Sequence, residues 1–205
     1  MKSAVCILSA VLGVVIFAAG AHAGAATDQT RQTVDKVFAI ISDPALKPAA
    51  KQQERREKLR QVIYPRFDFA EMAKRSLGPH WNRISPQQQQ DFVRVFTGLL
   101  ENAYAEQIEA SEGEKVRYTR EQIDGDSAEV FTKVITPKGE EVAINYKLHK
   151  VGSDWKAYDV IVENISLVNN YRSQFNRVLA NASFDELMRK MQQKSPDVKG
   201  SVSKG

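Results

Sequence analysis

The 205-residue chain is 42% hydrophobic and 26% charged, with a formal net charge of +4. Its lysines and arginines are interleaved with acids, so it lacks the block of cations that marks a nucleic-acid arm. One cysteine, Cys6, excludes a disulfide framework and any Cys-based metal site, which leaves the hydrophobic core to hold the fold.

The first element reads as a targeting segment. Lys2 gives a positive start, Val5–Ala19 is almost wholly apolar, and Ala21-His22-Ala23 is a small-x-small cleavage site. The apolar run is short for a bilayer span, and a polar segment follows it at once. Residues 1–23 are therefore expected to be a secretory signal peptide that takes Cys6 with it. Residues 24–194 are expected to form one domain, long enough to bury a real core. The Ser/Lys/Gly-rich tail 195–205 is expected to be disordered.

Helical periodicity runs from Thr27 to about Ala110. Val34, Val37, Phe38 and Ile41 share one helix face, with Thr27 or Asp28 as the expected cap and Pro44 beyond the end. A charged helix is predicted over Pro48–Ile63, with Leu59, Val62 and Ile63 as its apolar positions. A short helix over Asp68–Ser76 should stop at Gly78-Pro79. Ser85-Pro86 reads as N-cap and first position of a long helix bearing Phe92, Val95, Phe96, Leu99, Leu100 and Tyr104.

From Lys115 the period becomes two. Strands are predicted over Val116–Ile123, Ala128–Ile135, Val142–Lys150 and Trp155–Val162, separated by the Asp124-Gly125-Asp126, Pro137-Lys138-Gly139 and Gly152-Ser153-Asp154 turns. Alternation puts Val142, Ile144, Tyr146 and Leu148 on one face with Val130, Val134, Val160 and Val162, and sends Ala143, Asn145, Lys147 and His149 to the other. A helical pattern returns after Asn164, with Ile165, Val168, Tyr171, Phe175 and Leu179 on one face. Ser183 then caps a last helix carrying Phe184, Leu187, Met188 and Met191. The expected class is α+β, with helices on one face of a small twisted antiparallel sheet of about four strands.

Catalytic signatures are missing from this pattern. There is no phosphate loop, no Gly-x-Ser-x-Gly elbow and no His-Glu-x-x-His. His80 and His149 have no ligand-spaced partners and read as structural. Asp124 and Asp126 flank Gly125 as hairpin chemistry rather than as a calcium loop. Lys156, Tyr158 and Asp159 beside His149 are the best material for an enzyme. Alternation, however, turns Tyr158 and Asp159 to opposite faces, and Asp159 is expected to bond backbone or an arginine at the sheet end.

Two stretches carry a resemblance. One is Phe67-Asp68-Phe69-Ala70-Glu71-Met72-Ala73, with Leu77-Gly78, Trp81 and Phe92 through Tyr104. The other is Asp154-Trp155-Lys156-Ala157-Tyr158-Asp159-Val160, running into Ile165-Ser166-Leu167-Val168-Asn169-Asn170-Tyr171-Arg172-Ser173-Gln174-Phe175. Together they resemble the MlaC family, also called the toluene-tolerance or ABC-transporter auxiliary family. The resemblance implies a periplasmic phospholipid-binding protein without catalytic residues or metal. It implies no cofactor, only bound phospholipid as cargo in a cavity between sheet and helices. The implied partners are an inner-membrane ABC transporter complex and an outer-membrane lipoprotein complex, served by a monomer. A hopanoid-associated branch carries the same motifs, so hopanoid is an alternative cargo. An exported enzyme on a curved sheet, acting on a small apolar substrate, is the alternative of another class.

The resemblance turns apolar faces into expected pocket walls. On the sheet side these are Val130, Val134, Val142, Ile144, Tyr146, Leu148, Val160 and Val162. On the helix side they are Phe69, Met72, Phe92, Val95, Phe96, Leu99, Tyr104, Ile165, Val168, Tyr171 and Phe175. Tyr171 and Phe175 should point inward, while Arg172 is expected to form a salt bridge with a sheet-end carboxylate such as Asp159. An apolar core would show the same sequence signature.

Overall fold

Side-chain caps set most of the helix starts. The computed structural model describes residues 24–194, so the predicted signal segment and the tail from Ser195 lie outside the described residues. Helix α1 spans Ala25–Ile41, α2 Gln52–Ile63, α3 Phe69–Leu77, α4 Pro86–Glu109, α5 Leu167–Leu179 and α6 Phe184–Lys194. At α4 the Ser85 hydroxyl accepts from the Gln88 amide and the Gln88 side chain accepts from the Ser85 amide, with Pro86 at the first position. Asp68 accepts from the Glu71 amide at α3, Ser166 from Asn169 at α5, and Ser183 from Glu186 at α6. Two short 3-10 turns, Pro44–Leu46 and Ala49–Lys51, precede α2, so the charged helix begins later than Pro48.

The start of α1 corrects an expectation. Thr27 and Asp28 both lie inside the helix, and Gly24 at the N-cap offers no side chain. The Glu121 carboxylate, from the sheet, accepts from the Thr27 amide at 2.7 Å instead. It meets an orphan donor and brings negative charge to the positive helix end.

Five antiparallel strands follow one another across the sheet in chain order. They are β1 (Lys115–Asp124), β2 (Ser127–Ile135), β3 (Glu141–Val151), β4 (Asp154–Val162) and β5 (Ile165–Ser166). Gly125 and Gly152 take the first central position of two-residue hairpins with φ of 56° and 63°, a left-handed backbone that glycine adopts without penalty. The β4–β5 hairpin reaches a similar shape without glycine: Glu163 and Asn164 have φ of 48° and 66°. Ile165 therefore belongs to a strand, not to the helix face predicted for it, and is 64% exposed. Bulges interrupt β1 at Thr119 and β4 at Tyr158.

Register fixes the faces. Val130 pairs with Tyr146, Thr132 with Ile144, Val134 with Val142 and Ala128 with Leu148. Tyr146 pairs in turn with Val160, and Ile144 with Val162. These residues form the inner face. The outer face carries Arg117 and Lys133, both ion-paired to Glu141, and Asn145 hydrogen-bonded to Glu129.

Two buried clusters form. In one, α3–α6 pack on one another through Met72, Ala73, Leu77, Phe92, Val95, Phe96, Leu99, Leu100, Val168, Phe175, Leu187 and Met191. In the other, Ala26 of α1 sits on Ala128, Val130, Leu148, Trp155 and Ala157 of the sheet. Phe67 touches both clusters. Its amide-bearing neighbour Asp68 donates its N–H to the Ala157 carbonyl at 2.8 Å, which fastens the start of α3 to the β4 edge.

Candidate functional site

The inner face of the sheet is closed at one end and partly open at the other. At the closed end Ala26 and Phe67 cover Ala128, Val130, Leu148, Trp155 and Ala157. Toward the β2–β3 turn Val134 is buried, but Val142, Ile144 and Val160 stay partly accessible and Val162 is 41% exposed. Tyr146 stands between the two ends, and burial pushes its hydroxyl pKa up to about 12. It is a neutral donor at ordinary pH.

Helices α1 and α2 add further partly accessible apolar side chains. Val34 and Val37 continue the α1 stripe that begins with Ala26 and Thr30, and Val62 and Ile63 stand at the end of α2. At the start of α3, Phe69 stacks on Phe67 at 5.7 Å between ring centroids and meets Tyr64 edge-on at 5.0 Å. The apolar surface of β3, β4, α1 and the α2–α3 corner is the candidate site. Strands β2 and β3 bring no charged side chain to it, because alternation sends theirs to the other face.

Across this region α2 is held to α4 by charge. Arg55 and Arg56 both bind Glu109, at 2.9 and 2.8 Å. Arg60 and the Tyr64 hydroxyl both bind Glu101, at 2.6 Å each. Burial raises the Glu109 pKa, but the hydrogen bonds from Arg55 and Arg56 outweigh it and hold the carboxyl below its usual range. Burial, followed by the Glu101 hydrogen bond, pushes the Tyr64 hydroxyl up.

The predicted helix-side residues occupy different places. Met72, Phe92, Val95, Phe96 and Val168 are closely packed inside the α3–α6 cluster. Phe96 meets Tyr171 edge-on at 5.3 Å and Phe175 at 5.9 Å, so Tyr171 and Phe175 do point inward. Leu99, Tyr171 and Phe175 also edge a groove of about 450 Å³ between α4, α5 and α6. Tyr104 is partly buried against the same cluster. Tyr171, raised to about 12 mainly by burial and then by Tyr104, stays protonated. Ile165 stands apart on β5.

Arg172 corrects a second expectation. Its Nε donates to the Arg75 carbonyl at 2.7 Å, close to Gly78 at the end of α3, and not to Asp159. Asp159 is 5% exposed and takes its bonds from the Ser166 hydroxyl at 2.6 Å and the Val168 amide at 3.0 Å. It serves the start of α5, where negative charge is favoured.

The residues best suited to catalysis are engaged elsewhere. His149 Nε2 meets Asp68 Oδ2 at 2.9 Å, while the other oxygen of Asp68 caps α3. The Tyr158 ring lies edge-on to His149 and is covered by the Arg75 guanidinium at 4.1 Å. Among the described residues no group of three or more His, Cys, Asp or Glu could hold a metal ion, and no helix is long and apolar enough to cross a membrane.

Sequence reasoning missed Tyr118, Thr132, Trp155, Ala157 and Phe67 as inner-face or bridging residues. The alternation of Val116 and Tyr118 in β1 carried a signal for Tyr118. The bulge at Thr119 breaks that alternation one residue later.

A twisted antiparallel meander with a half-covered apolar face, flanked by a separately packed helical layer, defines an α+β binding fold. The chain belongs to the MlaC family, whose model matches residues 31–193. It is 23% identical over 168 residues to the intermembrane phospholipid transport system binding protein MlaC of Haemophilus influenzae, covering 80% of this chain and 78% of that one. Its fold matches a phospholipid-binding protein of Ralstonia solanacearum, solved in complex with a phospholipid. There the TM-score is 0.75 and the identity 26%, over 85% of this chain and 98% of that one.

Proposed function

We propose that this protein is a periplasmic phospholipid carrier. It holds acyl chains against the inner face of the sheet and passes lipid between an outer-membrane lipoprotein complex and an inner-membrane ABC transporter complex. The observation that carries the reading is the half-open apolar face of Val142, Ile144, Tyr146 and Val160, in a fold shared with a phospholipid-bound structure. Membership of the MlaC family supports the membrane partners, as does the name of the Haemophilus relative.

Energetics explain why a carrier is required. A diacyl phospholipid has roughly thirty methylenes, each worth about 0.8 kcal/mol in transfer from water to an apolar medium. Free escape from a bilayer therefore costs on the order of 20 kcal/mol and is slow. A protein that replaces the bilayer with an apolar wall removes most of that barrier. Its affinity must match that of its partners, or it could not both load and unload. The sequence has no phosphate loop, so direction comes from partners that bind the loaded and empty forms differently.

Solvent extraction of the purified protein followed by mass spectrometry tests the cargo. About one phospholipid per protein is the expected result, and lipid-free protein would refute it. Transfer of labelled lipid to liposomes holding the cognate inner-membrane complex should outpace transfer to protein-free liposomes. Equal rates would remove the partner-dependent step.

A further inference from the structure

Three buried polar atoms lack a hydrogen-bond partner among the described residues: Arg66 Nε, Asn102 Nδ2 and the Tyr118 hydroxyl. Arg66 satisfies its guanidinium elsewhere, through Gln29 and the Trp155 carbonyl. Asn102 lies in the groove between α4, α5 and α6, away from the sheet. Tyr118 alone stands on the inner face of the sheet, paired across strands with Thr132.

Its surroundings make the hydroxyl conspicuous. The ring packs against the Ala128–Leu148–Trp155 cluster, and the Arg31 guanidinium covers it at 4.5 Å from the centroid. Phenylalanine would make the same apolar contacts. A buried hydroxyl without a partner destabilises the protein that carries it, so the oxygen is a cost unless something meets it. The neighbouring Thr132 hydroxyl donates to the Ile144 carbonyl and makes no hydrogen bond with Tyr118. Burial raises the Tyr118 pKa, which keeps the phenol a proton donor.

We propose that the Tyr118 hydroxyl is the polar anchor of the pocket, donating a hydrogen bond to an acceptor oxygen of the bound phospholipid. The inference rests on the carrier reading above. Acyl chains offer a donor nothing. The first acceptors beyond them are the ester carbonyl and phosphate oxygens. A donor fixed on β1 therefore sets how deep the tails insert, and it does so without reading the headgroup's identity.

Tyr118→Phe separates this role from a structural one, because the two predict effects of different kind. Wild-type and variant protein would be delipidated and equilibrated with liposomes of palmitoyl-oleoyl phosphatidylglycerol. The lipid retained by each is then measured, together with the Tm of the delipidated forms. The expected result is about a tenfold shift of lipid from variant to liposomes, equivalent to about 1.4 kcal/mol. The delipidated variant should melt at the same temperature as wild type or higher. Equal retention by both proteins overturns the anchor, as does retention lost only in step with a lower delipidated Tm. A dialkyl ether phosphatidylglycerol locates the acceptor. If the ester carbonyl takes the bond, the two proteins retain the ether lipid equally; if the phosphate does, the tenfold gap persists. A wild-type protein that retains neither lipid defeats the carrier reading itself, and the anchor with it.

Discussion

Replacing Glu109 by glutamine tests what holds α2 against α4. The carboxylate binds Arg55 at 2.9 Å and Arg56 at 2.8 Å, and the three side chains are 11%, 13% and 22% exposed respectively. Solvent therefore screens these pairs only in part. Glutamine keeps the shape and removes the charge, leaving two guanidiniums against a neutral amide. An exposed pair contributes about 0–1 kcal/mol, and breaking a buried one costs about 3–5 kcal/mol. An intermediate site should cost about 2 kcal/mol, which lowers Tm by about 4–8 °C in a domain of this size. The pH dependence has a definite sign. Because the folded Glu109 pKa lies below the ordinary value of about 4.3, its contribution is present above that value and lost as pH falls through the folded one. Thermal melts followed by circular dichroism, from about pH 7 down to about pH 3, should show the gap between wild type and Glu109→Gln closing with acid. A variant that melts with wild type at neutral pH would refute the reasoning.

Three further substitutions probe the cargo face, the helical core and a buried carboxylate. Ile144→Glu puts a charge on the partly accessible end of the sheet; lipid recovered by extraction should fall at least about tenfold, with little loss of Tm, because the side chain can still reach solvent. Phe96→Ala removes a fully buried ring packed on Phe92, Tyr171 and Phe175, and urea titration should show a loss of about 3–5 kcal/mol. Asp159→Asn weakens the bonds to Ser166 and Val168, costs about 1–3 kcal/mol, and should speed hydrogen exchange in the first turn of α5.

The long strands were legible because alternation and glycine turns agree. The predicted Val142–Lys150 strand differs from the observed Glu141–Val151 by one residue at each end. Strand β5 was hidden because Glu163-Asn164 supplies two left-handed residues without a glycine, and Glu is a poor sequence signal for that conformation. Ile165 then fell into the wrong element. The α1 cap and the Arg172 partner were hidden for another reason. Glu121 and the Arg75 carbonyl are distant in sequence, and no local window contains them. The distinction between wall and core was not legible at all. Phe96 and Ile144 are alike in hydropathy, yet one is fully buried among aromatic rings and the other keeps partial access. Only tertiary packing separates them.

Strand β1 pairs with β2 alone and so leaves one row of backbone groups at the margin of the described sheet. Such a margin is a template on which another chain can add a strand. Here Lys115, Arg117 and Arg120 stand exposed along it, and the bulge at Thr119 breaks its regular spacing. Two approaching copies would have to strip water from these cations and match a ladder that is out of step. The bulge that follows Tyr118 thus also opposes fibril-like growth, and the protein should stay monodisperse when concentrated.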